Sequence, residues 1–314
     1  MRSHLLRSHP AKRAFRTWLI GAVTLGAVAA AAQPAAAQTP RADTLDMTGR
    51  VALVTGSTDG LGREVARALA ARGAHVIVHG RNVERGRELV QEITAQRVGS
   101  ARFFAVDFAS LAAVRALADS VLKHYPRVHL LVNNAGIRLA DRTARQTSAE
   151  GYELHFAVNY LAGYLLTELL LTRLRESAPS RILFVASRTQ QPIDFANVML
   201  DGNYTSGRGY AQSKLAQIIY AQDLAEQLKR SNIVVYAVHP AGVMNTNMMR
   251  SIGATPRSTV EQGLASTMQA ITTTSAPTGT YFFESTIAAP NAQAADTSAR
   301  RRLRELSKSL TGTP

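Results

Sequence analysis

The chain has 314 residues, 46% hydrophobic and 18% charged, which excludes a disordered protein and leaves room for one large domain or two small ones. It has no cysteine, which excludes disulfides, thiolate metal sites, iron–sulfur clusters and a cysteine nucleophile. A formal charge of +14 raises nucleic acid or an anionic membrane as partners, so the placement of those charges matters.

Residues 1–16 carry Arg2, Arg7, Lys12, Arg13 and Arg16, and no acid precedes Asp43. Trp18–Ala32 is an apolar run broken only by Thr24, and Gln33-Pro34-Ala35-Ala36-Ala37-Gln38 follows. A basic start, a short apolar middle and a small-residue site describe a signal peptide over 1–37, cut after Ala37, with a linker over 38–47. The run falls short of the ~20 residues of a permanent span, so no stable membrane segment is expected after cleavage. Lys12-Arg13-Ala14-Phe15 is similar to a twin-arginine export motif with lysine in the first place. The expectation is an exported, periplasmic protein, cytoplasmic if the segment is kept. Its removal lowers the charge from +14 to +9. Apart from Arg300, Arg301, Arg302 and Arg304 on a C-terminal helical pattern, the other cations are scattered without interleaved aromatics. Solvated helix faces account for them, and nucleic acid is not expected as a partner.

From residue 48 onward the pattern is that of one domain. Apolar, β-branched runs at 51–55, 75–79, 102–106, 129–132, 181–186, 233–238 and 280–283 alternate with helical patterns at 61–72, 83–96, 111–124, 151–175, 209–230 and 259–271. Nearly continuous apolar strands between amphipathic helices predict a doubly wound (Rossmann-type) parallel sheet of about seven strands with helices on both faces. Ligands then belong beyond the carboxyl ends of the strands. The irregular stretches 188–209 and 244–258 are the expected substrate-facing loops. Their residues Phe195, Tyr204, Met244, Met248 and Met249 suggest an apolar pocket.

The first strand runs into Thr55-Gly56-Ser57-Thr58-Asp59-Gly60-Leu61-Gly62 and a helix starts at once. Glycines let the backbone approach a pyrophosphate, and the helix N-terminus offers free N–H groups. Gly56, Ser57, Gly60, Leu61 and Gly62 are therefore candidate cofactor contacts. The second strand ends His79-Gly80-Arg81-Asn82, with a guanidinium where an NAD site places an acid for the ribose 2′-hydroxyl. Arg81 favours the 2′-phosphate of NADP over NAD, with Arg63 as a second cation.

Tyr210-Ala211-Gln212-Ser213-Lys214 places Tyr210 and Lys214 one helical turn apart, and an ammonium beside a phenol moves its pKa towards neutrality. Ser187 follows a strand, Asn133-Asn134-Ala135-Gly136 follows another, and Asn159 lies inside an apolar helix where its amide needs a partner.

Taken in order, the TGxxxGxG turn, NNAG, the helical Asn159, the strand-end Ser187, YxxxK and His239-Pro240 resemble the short-chain dehydrogenases/reductases. The stretches Gly151–Asn159 and Ile193-Asp194-Phe195 and the tail Arg302–Ser307 resemble the retinol-dehydrogenase-like branch, with Arg304 where a tryptophan is usual. The resemblance implies an enzyme interconverting an alcohol and its carbonyl by hydride transfer, without a metal; Arg81 and the loop residues above add NADP as the expected cofactor and a small apolar substrate. It implies Tyr210 as general acid–base, Ser187 holding the substrate oxygen, Lys214 binding ribose and tuning Tyr210, and Asn159 holding a relay water. Asn134 and Gly136 would line the adenosine side, Asp107 would meet the adenine, and Val243 would offer backbone groups to the carboxamide. Thr246 lies seven residues after His239, so either Ala241 replaces the family's glycine or it is an insertion that keeps Thr246 in register. A homodimer through the helices carrying Asn159 and Tyr210 follows by analogy. The competing function is an inactive dinucleotide-binding sensor or scaffold of the same fold.

Overall fold

The computed structural model describes residues 45–313; the expected signal peptide and most of the linker lie outside them. β1 (Val51–Val54), β2 (His75–Gly80), β3 (Ser100–Ala105), β4 (Leu130–Asn133), β5 (Ser180–Val185), β6 (Ile233–His239) and β7 (Tyr281–Phe283) are all parallel. An eighth strand, β8 (Thr286–Ile287), turns back antiparallel on β7, so the order is β3-β2-β1-β4-β5-β6-β7-β8. At two residues it is too short to leave a periodic trace in sequence, which is why seven strands were expected.

The central strands are apolar on both faces because helices cover both. On one side lie α1 (Gly60–Ala70), α2 (Val83–Ala95) and α7 (Val260–Thr272), packing residues such as Val65, Leu89 and Met268 with Val54 and Val132. On the other lie α3 (Leu111–His124), α4 (Ala162–Glu176), α5 (Ser206–Gln227) and α8 (Thr297–Thr311), around Leu53, Leu131 and Phe184. Side-chain caps from Asn82, Ser110 and Thr205 start α2, α3 and α5, each supplying an oxygen to an N–H of the first turn.

Two elements depart from the expected pattern. A π-helical stretch, Phe156–Leu161, leads into α4, and its wider turn carries Asn159. The loop 244–258 contains a short α6 (Asn247–Ser251). The strand order reverses direction between β1 and β4, and the carboxyl ends of the strands open there into a cleft of about 610 Å³. No helix among the described residues is long and apolar enough to cross a membrane.

Candidate active site

One end of the cleft is the glycine turn between β1 and α1. Gly56 takes φ +65°, and a Cβ there would lie 2.8 Å from the Ala135 Cα, so the β1 and β4 turns touch backbone to backbone. Asn134 knits them: its Nδ2 donates to the carbonyls of Thr55 (2.8 Å) and Gly56 (3.2 Å), while the Thr55 hydroxyl accepts from the N–H groups of Asn134 and Ala135 (both 3.0 Å). Asp59, the residue before α1, makes no side-chain cap and α1 has no acid in its first turn, so the helix start faces the cleft as a donor set. Asp59 instead accepts from Asn247 (2.7 Å) and faces Arg85 (3.5 Å). A cleft that joins this turn to a strand-end cation is built for an anionic dinucleotide.

The far side of this end is formed by β2 and β3. Arg81 and Asp107 both line the cleft, 3.9 Å apart and mostly exposed. His79 closes the floor, stacked on Phe108 (4.2 Å), its Nδ1 accepting from the Gly56 N–H (3.1 Å). Burial pushes His79 down to about 4, and its buried Nε2 has no hydrogen-bond partner.

At the other end stand Ser187, Tyr210 and Lys214, all buried and all lining the cleft. Ser187 follows β5, while Tyr210 and Lys214 share one face of α5. The Lys214 ammonium lies 5.8 Å from the Tyr210 ring centroid and donates to the Val185 carbonyl (2.8 Å) and Gln217 Oε1 (3.0 Å). Burial lowers Lys214 to about 7. Contrary to the expected shift towards neutrality, burial raises Tyr210 above the ordinary phenol range, opposed by the Ser187 hydroxyl and the Arg138 charge and not by Lys214. The Arg138 guanidinium sits 4.9 Å from the Tyr210 ring centroid.

The remaining expected residues divide. Gly60, Leu61, Gly62, Gly136 and Val243 line the cleft with those above. Val243 takes φ +39°, an unfavourable value for a β-branched residue, with its carbonyl bound by the Arg257 N–H (2.9 Å). Thr246, despite its offset, lines the cleft so close to Gly60 that a Cβ there would lie 3.2 Å from its methyl. Asn159 does not line it. Its amide oxygen accepts from the Ile137 N–H (2.7 Å), and its Nδ2 donates to the Ile137 carbonyl (3.1 Å) and Ser213 Oγ (3.0 Å). Its side chain thus braces the loop after β4. Ser57 turns inward, donating to the Val54 carbonyl (2.7 Å). Arg63 points away from the cleft, pairing with Glu92 on α2 (2.5 Å), so no second cation joins Arg81 from α1. Phe195 lies under Arg302 (4.6 Å) and Tyr204 beside His155, so of the five expected pocket residues only the three methionines line the cleft.

Motif reading assigns no role to the residues that hold this end together. Glu153 and His155 are fully buried: His155 Nδ1 donates to Glu153 (2.7 Å) and its Nε2 accepts from the Leu139 N–H (3.2 Å). The loop after Ser187 is tied to the C-terminal part of the chain. Tyr281 donates to the Ser187 carbonyl (3.2 Å), and the Gln293 side chain bonds both polar groups of Ile193 (2.7 and 3.1 Å). Only the position of Arg138, two residues beyond NNAG, flags it as a cleft residue in sequence.

Comparison with known proteins agrees with this architecture. Residues 50–257 match the family model for short chain dehydrogenases. The chain is 34% identical to human retinol dehydrogenase 11 over 285 residues, 86% of this chain and 88% of that protein. It is 37% identical to bovine retinol dehydrogenase 12 over 209 residues, 66% of this chain and 65% of that one. A short chain dehydrogenase from Shigella flexneri, solved in complex with NADP, superposes with a TM-score of 0.62 at 25% identity, covering 77% of this chain and 99% of that one. With the glycine turn, the parallel sheet and the Ser187–Tyr210–Lys214 cluster in one cleft, these matches place the chain among the short chain dehydrogenases, a family of oxidoreductases, on the retinol-dehydrogenase-like branch.

Proposed function

We propose that the protein is an NADP-dependent oxidoreductase that interconverts an alcohol and its aldehyde or ketone, with Tyr210 as general acid–base. The observation that carries the reading is the meeting of Ser187, Tyr210 and Lys214 at one end of a cleft whose other end is a glycine turn and a free helix start. The NADP complex of the Shigella relative supports the choice of dinucleotide, as does Arg81 in place of an acid. Gly56, Gly60, Leu61 and Gly62 would carry the phosphates, and Arg81 and Asp107 the adenosine end. When bound, the dinucleotide supplies or accepts a hydride at the carbonyl carbon.

The chain's own residues handle the proton. The Ser187 hydroxyl holds the substrate oxygen, and the Tyr210 hydroxyl gives that oxygen its proton during reduction and takes it back during oxidation. Because burial raises Tyr210, it keeps its proton at neutral pH, the state that reduction requires. Among the described residues Lys214 has no ion-pair partner. Its bonds to Val185 and Gln217 fix the ammonium within reach of both the Tyr210 ring and the cleft.

The test is consumption of NADPH and of NADH by the full chain with a panel of aldehydes and ketones, repeated with Tyr210→Phe. Turnover should favour NADPH and fall about 10²–10⁴-fold in the variant, with NADPH binding retained. Tight NADPH binding without turnover, or turnover indifferent to Tyr210, overturns the reading and leaves a dinucleotide-binding scaffold. The same reading takes residues 1–37 as an export address. N-terminal sequencing of the protein from fractionated cells should begin at Gln38, and a cytosolic chain that still begins at Met1 overturns that part.

A further inference from the structure

The charges along the cleft are unevenly compensated. Its lining contains two carboxylates, Asp59 and Asp107, and both belong to the dinucleotide end, facing Arg85 and Arg81. The Ser187–Tyr210 end has none. It has two guanidiniums instead, Arg138 and Arg188, and neither is ion-paired among the described residues. The Arg138 Nε is buried without a hydrogen-bond partner. The guanidinium is half-buried and lines the cleft, so its remaining N–H donors are open to an anion that would offset its charge.

Arg138 is also held in place. On its N-terminal side both polar groups of Ile137 are bound by the Asn159 amide. On its C-terminal side the Leu139 N–H is bound by His155, and the Leu139 carbonyl by the Ser206 hydroxyl. The backbone on either side is clamped, and the guanidinium rests against the ring of Tyr210. A rigid planar fork beside the proton donor is a preorganised site for a bidentate oxyanion.

We propose that the substrate carries an anionic group, a carboxylate or a phosphate ester, bound by Arg138 with the exposed, cleft-lining Arg188 while the carbonyl meets Ser187 and Tyr210. This rests on the redox reading above and adds the substrate class. Met244, Met248 and Met249 also line the cleft and suit an apolar stretch of substrate.

The experiment compares matched aldehydes with the NADPH-loaded full chain: hexanal against 6-oxohexanoate, and glyceraldehyde against its 3-phosphate. The charged member of at least one pair should have the higher kcat/KM, and which pair shows it identifies the anion. Arg138→Met should cut the charged-to-neutral ratio about 10–100-fold, and Arg138→Lys should lie between. A change in Tyr210 itself affects both members alike and cancels in the ratio. No preference for charge in the wild type, or an equal loss on both members, overturns the proposal. So does a comparable loss of NADPH affinity in Arg138→Met, since Arg138 would then serve the dinucleotide. If no aldehyde is turned over, the redox reading fails by itself, and calorimetry with hexanoate and inorganic phosphate still decides the anion site. Binding that Arg138→Met abolishes supports it, and binding that survives the substitution overturns it.

Discussion

At the scale of single residues, the cleft is lined by groups whose charge state burial has altered, and the two histidines make this measurable. His79 and His239 are buried, line the cleft, and are pushed down to about 4, His239 with help from the Arg188 and Lys214 charges. In the unfolded chain each would titrate near 6.5. Between those values the unfolded chain binds more protons, so stability rises with pH across the window and is lost as pH falls from about 6.5 towards 4. Urea unfolding should show a steep decline over that range, each proton contributing at most about 1.4 kcal/mol per pH unit. His79→Gln, which can still accept from Gly56, should flatten the slope by about one proton. A slope unchanged by that substitution would contradict the assignment. Residue identities at this scale were the most legible part of the site. Tyr210, Lys214 and Ser187 announce themselves because helix periodicity and a strand end fix where they lie. Arg63 misled for the opposite reason: its partner Glu92 sits on the next helix, 29 residues on, and no local pattern records that pairing.

At the scale of elements, α5 carries the most constraint. Its start packs against the buried Glu153–His155 pair so tightly that a Cβ on Gly209 would lie 2.8 Å from Glu153 Oε1 and 2.9 Å from His155 Nδ1. Gly207, two residues earlier on the same helix, has nothing within 4 Å of its would-be Cβ. Gly209→Ala should therefore destabilise the protein by about 1–3 kcal/mol through overpacking and lower turnover by shifting Tyr210. Gly207→Ala should be neutral or stabilising by up to ~1 kcal/mol, from helix propensity alone. Parallel denaturant titrations and activity assays distinguish the two, and equal effects would contradict the packing. The helices and strands themselves were readable because their periodicities are local. The π-helical stretch was not, because what it achieves is a contact between Asn159 and Ile137 across 22 residues. Phe195 and Tyr204 read as pocket residues from composition, but packing against Arg302 and His155 turns them elsewhere.

At the scale of the whole molecule, α8 is the element that seals the fold. It covers tyrosines of the π-helical stretch and of the segment before it, with Tyr160 hydrogen-bonded to Ser307 (2.6 Å) and Tyr152 donating to the Leu310 carbonyl (2.9 Å). Arg304 binds both carboxylate oxygens of Asp223, a side chain only 9% exposed that also accepts from Gln227 (2.8 Å). Removing the arginine strands that carboxylate. Because Arg304 is itself 40% exposed, Arg304→Ala should cost about 1–2 kcal/mol, less than a fully buried pair. Adding Asp223→Asn should return part of the loss, and a double-mutant cycle by urea unfolding measures the coupling. Strict additivity would show that the pair contributes nothing. The sheet's final strands carry a different consequence. The glycine turn, β2, β3 and the NNAG loop are all within the first half of the chain, but the loop bearing Ser187 is tied down by Tyr281 and Gln293. A polypeptide emerging from the ribosome thus receives the two side chains that fasten its reactive loop only near the end of its synthesis. The fastening of that loop is therefore a late event in the assembly of the cleft.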